Sequence, residues 1–95
     1  MAVTFHISSP LRPFTGGQGG VVLQASPATV AEALEALWAV HPGLRDRILN
    51  EQGEVRPHVN LFVGDESIRY TGGLGTKMPP NGEISILPAV SGGAN

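Results

Sequence analysis

Apolar and polar positions alternate along Val3-Thr4-Phe5-His6-Ile7 and along Val59-Asn60-Leu61-Phe62-Val63, the period-two pattern of strands that bury one face. In the second run Val59, Leu61 and Val63 share one side, and Asn60 and Phe62 the other. Glu83-Ile84-Ser85-Ile86-Leu87 repeats the pattern: Ile84 and Ile86 point one way, Ser85 and Leu87 the other. Val21-Val22-Leu23-Gln24 and Ser67-Ile68-Arg69-Tyr70 are shorter strand candidates. A break at residues 8–13 and a turn-rich stretch at 15–20 make the first two strands a hairpin with a wide loop. The period then changes. Val30, Leu34, Leu37 and Trp38 recur at helical spacing with Ala33 between them, and Thr29 stands three residues before Glu32, as in a capping box. Pro42-Gly43 ends this helix near Val40 or His41. Residues 44–49 allow a short second helical piece, and 50–57 read as a polar connection. Gly64-Asp65-Glu66 is a turn, and 71–82 is irregular, broken by Gly72, Gly73, Gly75, Pro79, Pro80 and Gly82.

The resulting order is β-β-α-β-β-β. So small a sheet has to bury one face against the long helix, which makes the fold α+β. The layout resembles the β-grasp, or ubiquitin-like, fold: a mixed sheet packed on one main helix.

Composition narrows the functional classes. The 95 residues suit one domain with one modest core. A formal charge of −2 does not make a nucleic-acid footprint. No apolar run approaches the ~18 residues that span a bilayer, and Met1-Ala2-Val3-Thr4-Phe5 lacks the positive start of a secretory signal, so a cytoplasmic location is expected. The absence of cysteine removes disulfides and thiolate metal sites.

The usual chemical motifs fail one by one. Thr15-Gly16-Gly17-Gln18-Gly19-Gly20 has no lysine and precedes a strand, so it is a loop and not a phosphate cradle. Gly72-Gly73-Leu74-Gly75-Thr76-Lys77 matches no nucleotide template and reads as a tight turn that packs Leu74 under the sheet. His6, His41 and His58 lack metal-ligand spacing. No nucleophile, base and orienting acid can be assembled by motif. An independent catalyst is therefore not expected, and no metal ligand is assigned.

Two features remain. Alternation puts Phe62 and Leu87 on the face opposite Leu61 and Ile86, where one helix cannot cover them, so they are a candidate docking patch. The last strand then runs through Pro88-Ala89-Val90-Ser91 into Gly92-Gly93, followed by Ala94-Asn95. Residues 1–90 are expected to form the domain and 91–95 a flexible tail with a two-residue extension. Glycine carries no Cβ. A Gly-Gly tail can therefore thread a narrow channel and bring a backbone carboxylate to another protein's active site.

A Gly-Gly tail placed directly after the final strand of such a sheet resembles the ubiquitin-like sulfur carriers, the ThiS and MoaD family. Val59-Asn60, Gly82-Glu83 and Ile86-Leu87-Pro88-Ala89-Val90-Ser91-Gly92-Gly93 carry the resemblance. Leu11-Arg12-Pro13-Phe14-Thr15-Gly16-Gly17-Gln18 and Arg69-Tyr70-Thr71-Gly72-Gly73-Leu74 narrow it to the carriers of a cysteine-biosynthesis route. The resemblance implies that the chain binds no cofactor itself. An E1-like activating enzyme uses ATP and Mg²⁺ to adenylate the carboxylate of Gly93, and a sulfur donor then leaves a thiocarboxylate there. Phe62, Leu87, Pro88, Ala89, Val90, Ser91 and Gly92 are the residues expected to meet partners. The sulfur goes to a biosynthetic enzyme making cysteine, thiamin, molybdopterin or a sulfur-containing secondary metabolite. Family members act with Gly-Gly at the end, so a protease of the JAMM metalloprotease type is expected to remove Ala94-Asn95 first. The free carrier is expected to be monomeric. The competing readings are a ubiquitin-like modifier, which would link Gly93 to lysines, and a plain interaction module with an inert tail.

Overall fold

The alternating run at the start of the chain forms β1 (Ala2–Ile7), which pairs antiparallel with β2 (Gly20–Gln24). The wide loop between them is not structureless. Residues Ser9–Thr15 wind into a 3₁₀ segment that ends on Gly16 in the left-handed region at φ 68°. In the computed structural model residues 1–88 are described. Leu11 and Phe14 pack against the core from this segment. The buried Thr15 hydroxyl lies 2.7 Å from the Gln18 carbonyl and 3.1 Å from that of Arg12. The Arg47 guanidinium sits 4.5 Å from the centre of the Phe14 ring, a cation–π contact that ties the loop to the segment after the main helix.

The helix α1 spans Val30–Val40. Thr29 caps it, its hydroxyl accepting from the Glu32 amide at 3.3 Å. The return bond goes one residue further back than in a standard capping box: Glu32 Oε1 accepts from the Ala28 amide at 2.9 Å. Val30, Ala33, Leu34 and Leu37 are buried. Pro42 stops the helix, a 3₁₀ turn Pro42–Leu44 follows, and the short α2 (Arg45–Ile48) buries Ile48. Residues 49–58 are held by an isolated bridge between Leu49 and Val55.

β3 (Val59–Val63) and β5 (Glu83–Pro88) pair antiparallel. The fourth strand is shorter and earlier than the alternation predicts. It is Glu66–Ser67, and Ile68–Tyr70 is a 3₁₀ turn. Ser67 explains the change: its hydroxyl accepts from the Arg69 amide at 3.3 Å, a local bond that competes with the ladder. Gly72 and Gly73 at positive φ then turn the chain away from the edge. The irregular stretch that follows straps the start of α1, with the Val30 amide bonded to the Thr76 carbonyl and the Met78 amide to that of Ala28. The last strand extends one residue past the sequence-based expectation, to Pro88.

The sheet order is β2-β1-β5-β3-β4. β5 lies in the middle, parallel to β1 and antiparallel to β3. Val3, Phe5, Ile7, Val59, Leu61, Ile84 and Ile86 point inward and are buried with the apolar face of α1. A mixed five-stranded sheet on one main helix, with the last strand central, is the β-grasp fold. Among the described residues no helix is long and apolar enough to cross a membrane.

Candidate functional site

β5 is the element that delivers the end of the chain. Its inward residues, Ile84 and Ile86, are both 0% exposed, and its backbone is paired on both sides. The Thr4 amide bonds the Gly82 carbonyl where β5 begins, and the Ser8 amide bonds the Ile86 carbonyl near its end. Val59 lies opposite Pro88. Proline has no N–H to donate, so it is a fitting last residue of the ladder. The exit point is therefore fixed by three strands. Ala89, Val90, Ser91, Gly92 and Gly93 lie outside the described residues.

The outer face of the sheet surrounds that exit. Phe62 lies opposite Ser85, and Asn60 opposite Leu87. Phe62 and Leu87 are thus diagonal neighbours on one face, a relation that brings long side chains within reach of each other. The sequence-based reading of a shared face holds. The two are not equally open: Leu87 is 41% exposed, whereas Phe62 is half-buried. Phe62 lines a shallow depression with Asp65, Glu66, Ser67, Tyr70 and Thr71. Tyr70 is 87% exposed, and the sequence-based reading missed it. The 3₁₀ turn that lifts Tyr70 off the edge was hidden by strand-like composition. Its aromatic ring beside Arg69 in a glycine-rich turn was the available signal.

Other polar features lie elsewhere. His6 Nε2 and Glu83 Oε1 are 2.6 Å apart across β1 and β5, at the opposite end of β5 from the exit. A wide polar cleft between Val63, Glu66, Lys77 and Glu83 opens at that same far end. Among the described residues there is no group of three or more His, Asp or Glu that could hold a metal ion. The site is thus a chain terminus presented from a rigid sheet, with an apolar and aromatic surface beside it.

Comparison with known proteins agrees with this geometry. The ThiS family model matches residues 6–93, and the chain belongs to the ThiS family. The chain is 39% identical over 95 residues to the sulfur carrier protein CysO of Mycobacterium tuberculosis, covering 98% of this chain and 100% of that protein. It is 36% identical over 66 residues to the small archaeal modifier protein 3 of Haloferax volcanii, covering 70% of this chain and 71% of that one. Among solved structures, a chain of the Amycolatopsis orientalis BexX/CysO complex superposes with a TM-score of 0.84 at 36% identity, over 96% of this chain and 99% of that chain.

Proposed function

We propose that this protein is a sulfur carrier that works through Gly93. A JAMM-type metalloprotease removes Ala94-Asn95 and frees the Gly93 carboxylate. An E1-like enzyme with ATP and Mg²⁺ joins a carboxylate oxygen to the α-phosphorus and releases pyrophosphate. A sulfide-level donor attacks the acyl carbon, the C–O bond to the nucleotide breaks, AMP leaves, and a thiocarboxylate remains. A sulfur-accepting biosynthetic enzyme then takes the sulfur. The chain acts as co-substrate, in the cytoplasm, and is a monomer between encounters.

The family match running to Gly93 carries this reading, since it covers the tail and stops before Ala94. The CysO relative supports a carrier role. The Amycolatopsis orientalis carrier in complex with BexX supports a carrier that docks on a partner protein. The physical logic is consistent. A carboxylate is a poor electrophile until adenylation supplies a leaving group, and Gly92-Gly93 lets the acyl carbon approach nucleotide and nucleophile without side-chain clash. Phe62 and Leu87 supply the docking patch, and the run Pro88-Ala89-Val90-Ser91-Gly92 threads the partner's channel. Full-length chain incubated with the activating enzyme and ATP should stay unmodified until Ala94-Asn95 is cut. Adenylation of uncut chain at the rate of cut chain would refute the trimming step.

The Haloferax volcanii modifier relative favours a second reading, attachment of Gly93 to protein lysines. Immunoblots of host lysate separate the two. Free chain alone fits a carrier; high-mass ladders that vanish when Gly93 is deleted fit a modifier.

A further inference from the structure

We propose that Asn81 is a modification site, where the side chain loses ammonia to the Gly82 amide, and that a hydrogen bond from Ala2 latches it in the folded chain. The site precedes β5 and takes no part in the carrier chemistry, so it stands or falls apart from that reading.

The sequence marks the position. Of Asn50, Asn60, Asn81 and Asn95, only Asn81 precedes a glycine. A following glycine leaves its amide nitrogen open to the asparagine side chain, because it has no Cβ to block the approach. In the reaction the Gly82 nitrogen bonds to the side-chain carbonyl carbon of Asn81, and the carbon–nitrogen bond of the carboxamide breaks. Ammonia departs with the proton that the Gly82 nitrogen gives up. Water, the one co-reactant, then opens the five-membered imide at either carbonyl. One opening leaves aspartate at position 81. The other leaves isoaspartate, with one more carbon in the backbone.

The fold demands this pair of residues. Residues 79–82 form a turn closed by the Gly82 amide, which donates to the Pro79 carbonyl at 3.1 Å. Pro80 takes the second position and Asn81 the third, at φ 55°. That is the pattern of a type II turn, which favours glycine or asparagine in the third place. Asn81 is the one non-glycine residue at positive φ among the described residues. It also does what glycine could not: its Oδ1 accepts from the Ala2 amide at 3.0 Å, tying the start of β1 to the turn. Gly82 is required by packing, since a Cβ there would stand 2.9 Å from Met78 Cε and 3.0 Å from the Pro79 carbonyl.

The same contacts restrain the reaction. Asn81 is exposed, whereas Gly82, which supplies the attacking nitrogen, is buried. The Gly82 N–H is engaged by the Pro79 carbonyl, and the Gly82 carbonyl accepts from the Thr4 amide at 3.1 Å. Attack requires the nitrogen to lose its proton and the Asn81 side chain to swing onto it, so the bonds from Gly82 and Ala2 both have to break first. The turn therefore reacts from a locally opened state, whose population sets the rate. The latch belongs to the β1–β5 seam, where Thr4 pairs with Glu83.

The two products differ in what they do to β5. Aspartate keeps the backbone length and an oxygen acceptor for Ala2. Isoaspartate lengthens the turn just before Glu83, the first residue of the central strand. Either product adds a carboxylate to the lining of a cleft that already holds Asp65, Glu66 and Glu83 with one cation, Lys77.

The test is peptide mapping by mass of the full chain aged in mildly alkaline buffer, folded or unfolded in urea. Exchange of the amide NH₂ for OH at position 81 should run about 10-fold or more slowly in the folded chain. Asn81→Gly, which suits the positive φ, should show no change of mass at that position. Ala2→Pro removes the donor at the first residue of β1, where proline is tolerated. It should raise the folded-state rate several-fold and leave the rate in urea unchanged. The isoaspartate form, separated by chromatography, should have a lower urea midpoint than the aspartate form. No conversion in urea would show that Asn81 is not a modification site, and equal rates in folded and unfolded chain would show that the fold does not restrain it. A folded-state rate unmoved by Ala2→Pro would overturn the latch, as would a rise matched by an equal rise in the global unfolding constant. Equal midpoints for the two products would overturn the effect on β5.

Discussion

At the scale of the residue, the sequence said most where alternation was strict. Ile84 and Ile86 against Ser85 and Leu87, and Leu61 against Phe62, all face as their spacing requires, because a period of two leaves no choice once one face is buried. Tyr70 was not legible in this way. Its position depends on a 3₁₀ turn, which leaves no periodic trace. Gly82 is a further case. Its missing side chain makes room for Met78 Cε at 2.9 Å and the Pro79 carbonyl at 3.0 Å, measured from where a Cβ would sit. Gly82→Ala should therefore cost about 1–3 kcal/mol by overpacking, read from the shift in denaturant midpoint. No shift would mean that the strap before β5 yields freely. Phe62→Ala should weaken binding to the activating enzyme by about 1 kcal/mol or more, a factor of roughly five to ten, with the fold retained in its circular dichroism. Unaltered affinity would remove Phe62 from the docking patch. Gly92→Val should abolish adenylation, since a β-branched residue restricts the backbone and fills the channel; normal product formation would contradict the narrow-channel argument.

At the scale of the element, helix α1 was read from spacing and its cap from one pair of residues. Thr29 does cap it, and the departure is in detail: Glu32 reaches Ala28 and not Thr29. Thr29→Ala should destabilise the fold by about 1 kcal/mol, lowering the urea midpoint with an unchanged slope. An unshifted midpoint would show that the strap through Thr76 and Met78 holds the helix start without the cap. β4 was misjudged because Ser67-Ile68-Arg69-Tyr70 has strand composition while Ser67 bonds locally. Propensity competes there with one side-chain hydrogen bond and two glycines at positive φ, and it loses. The 3₁₀ segment Ser9–Thr15 was legible only as a break, since Phe14 finds its partner Arg47 far along the sequence.

At the scale of the whole molecule, the fold class followed from the element sequence, because one main helix and five short strands leave few ways to bury a single face; the order of strands in the sheet came from the structure. The central place of β5 gives that fold its use. A strand paired on both sides holds the exit of the tail still, and the outer face beside it is free for a partner. On the proposed reading the domain supplies affinity and aim, and the chemistry belongs to whatever receives Gly93. Intact-mass analysis of chain cut after Gly93 and treated with its activating enzyme, ATP and sulfide tests this most directly. Replacement of one carboxylate oxygen by sulfur, located on Gly93 by fragmentation, is the predicted result. A chain of unchanged mass, from an activator that thiocarboxylates another carrier in the same mixture, would contradict it.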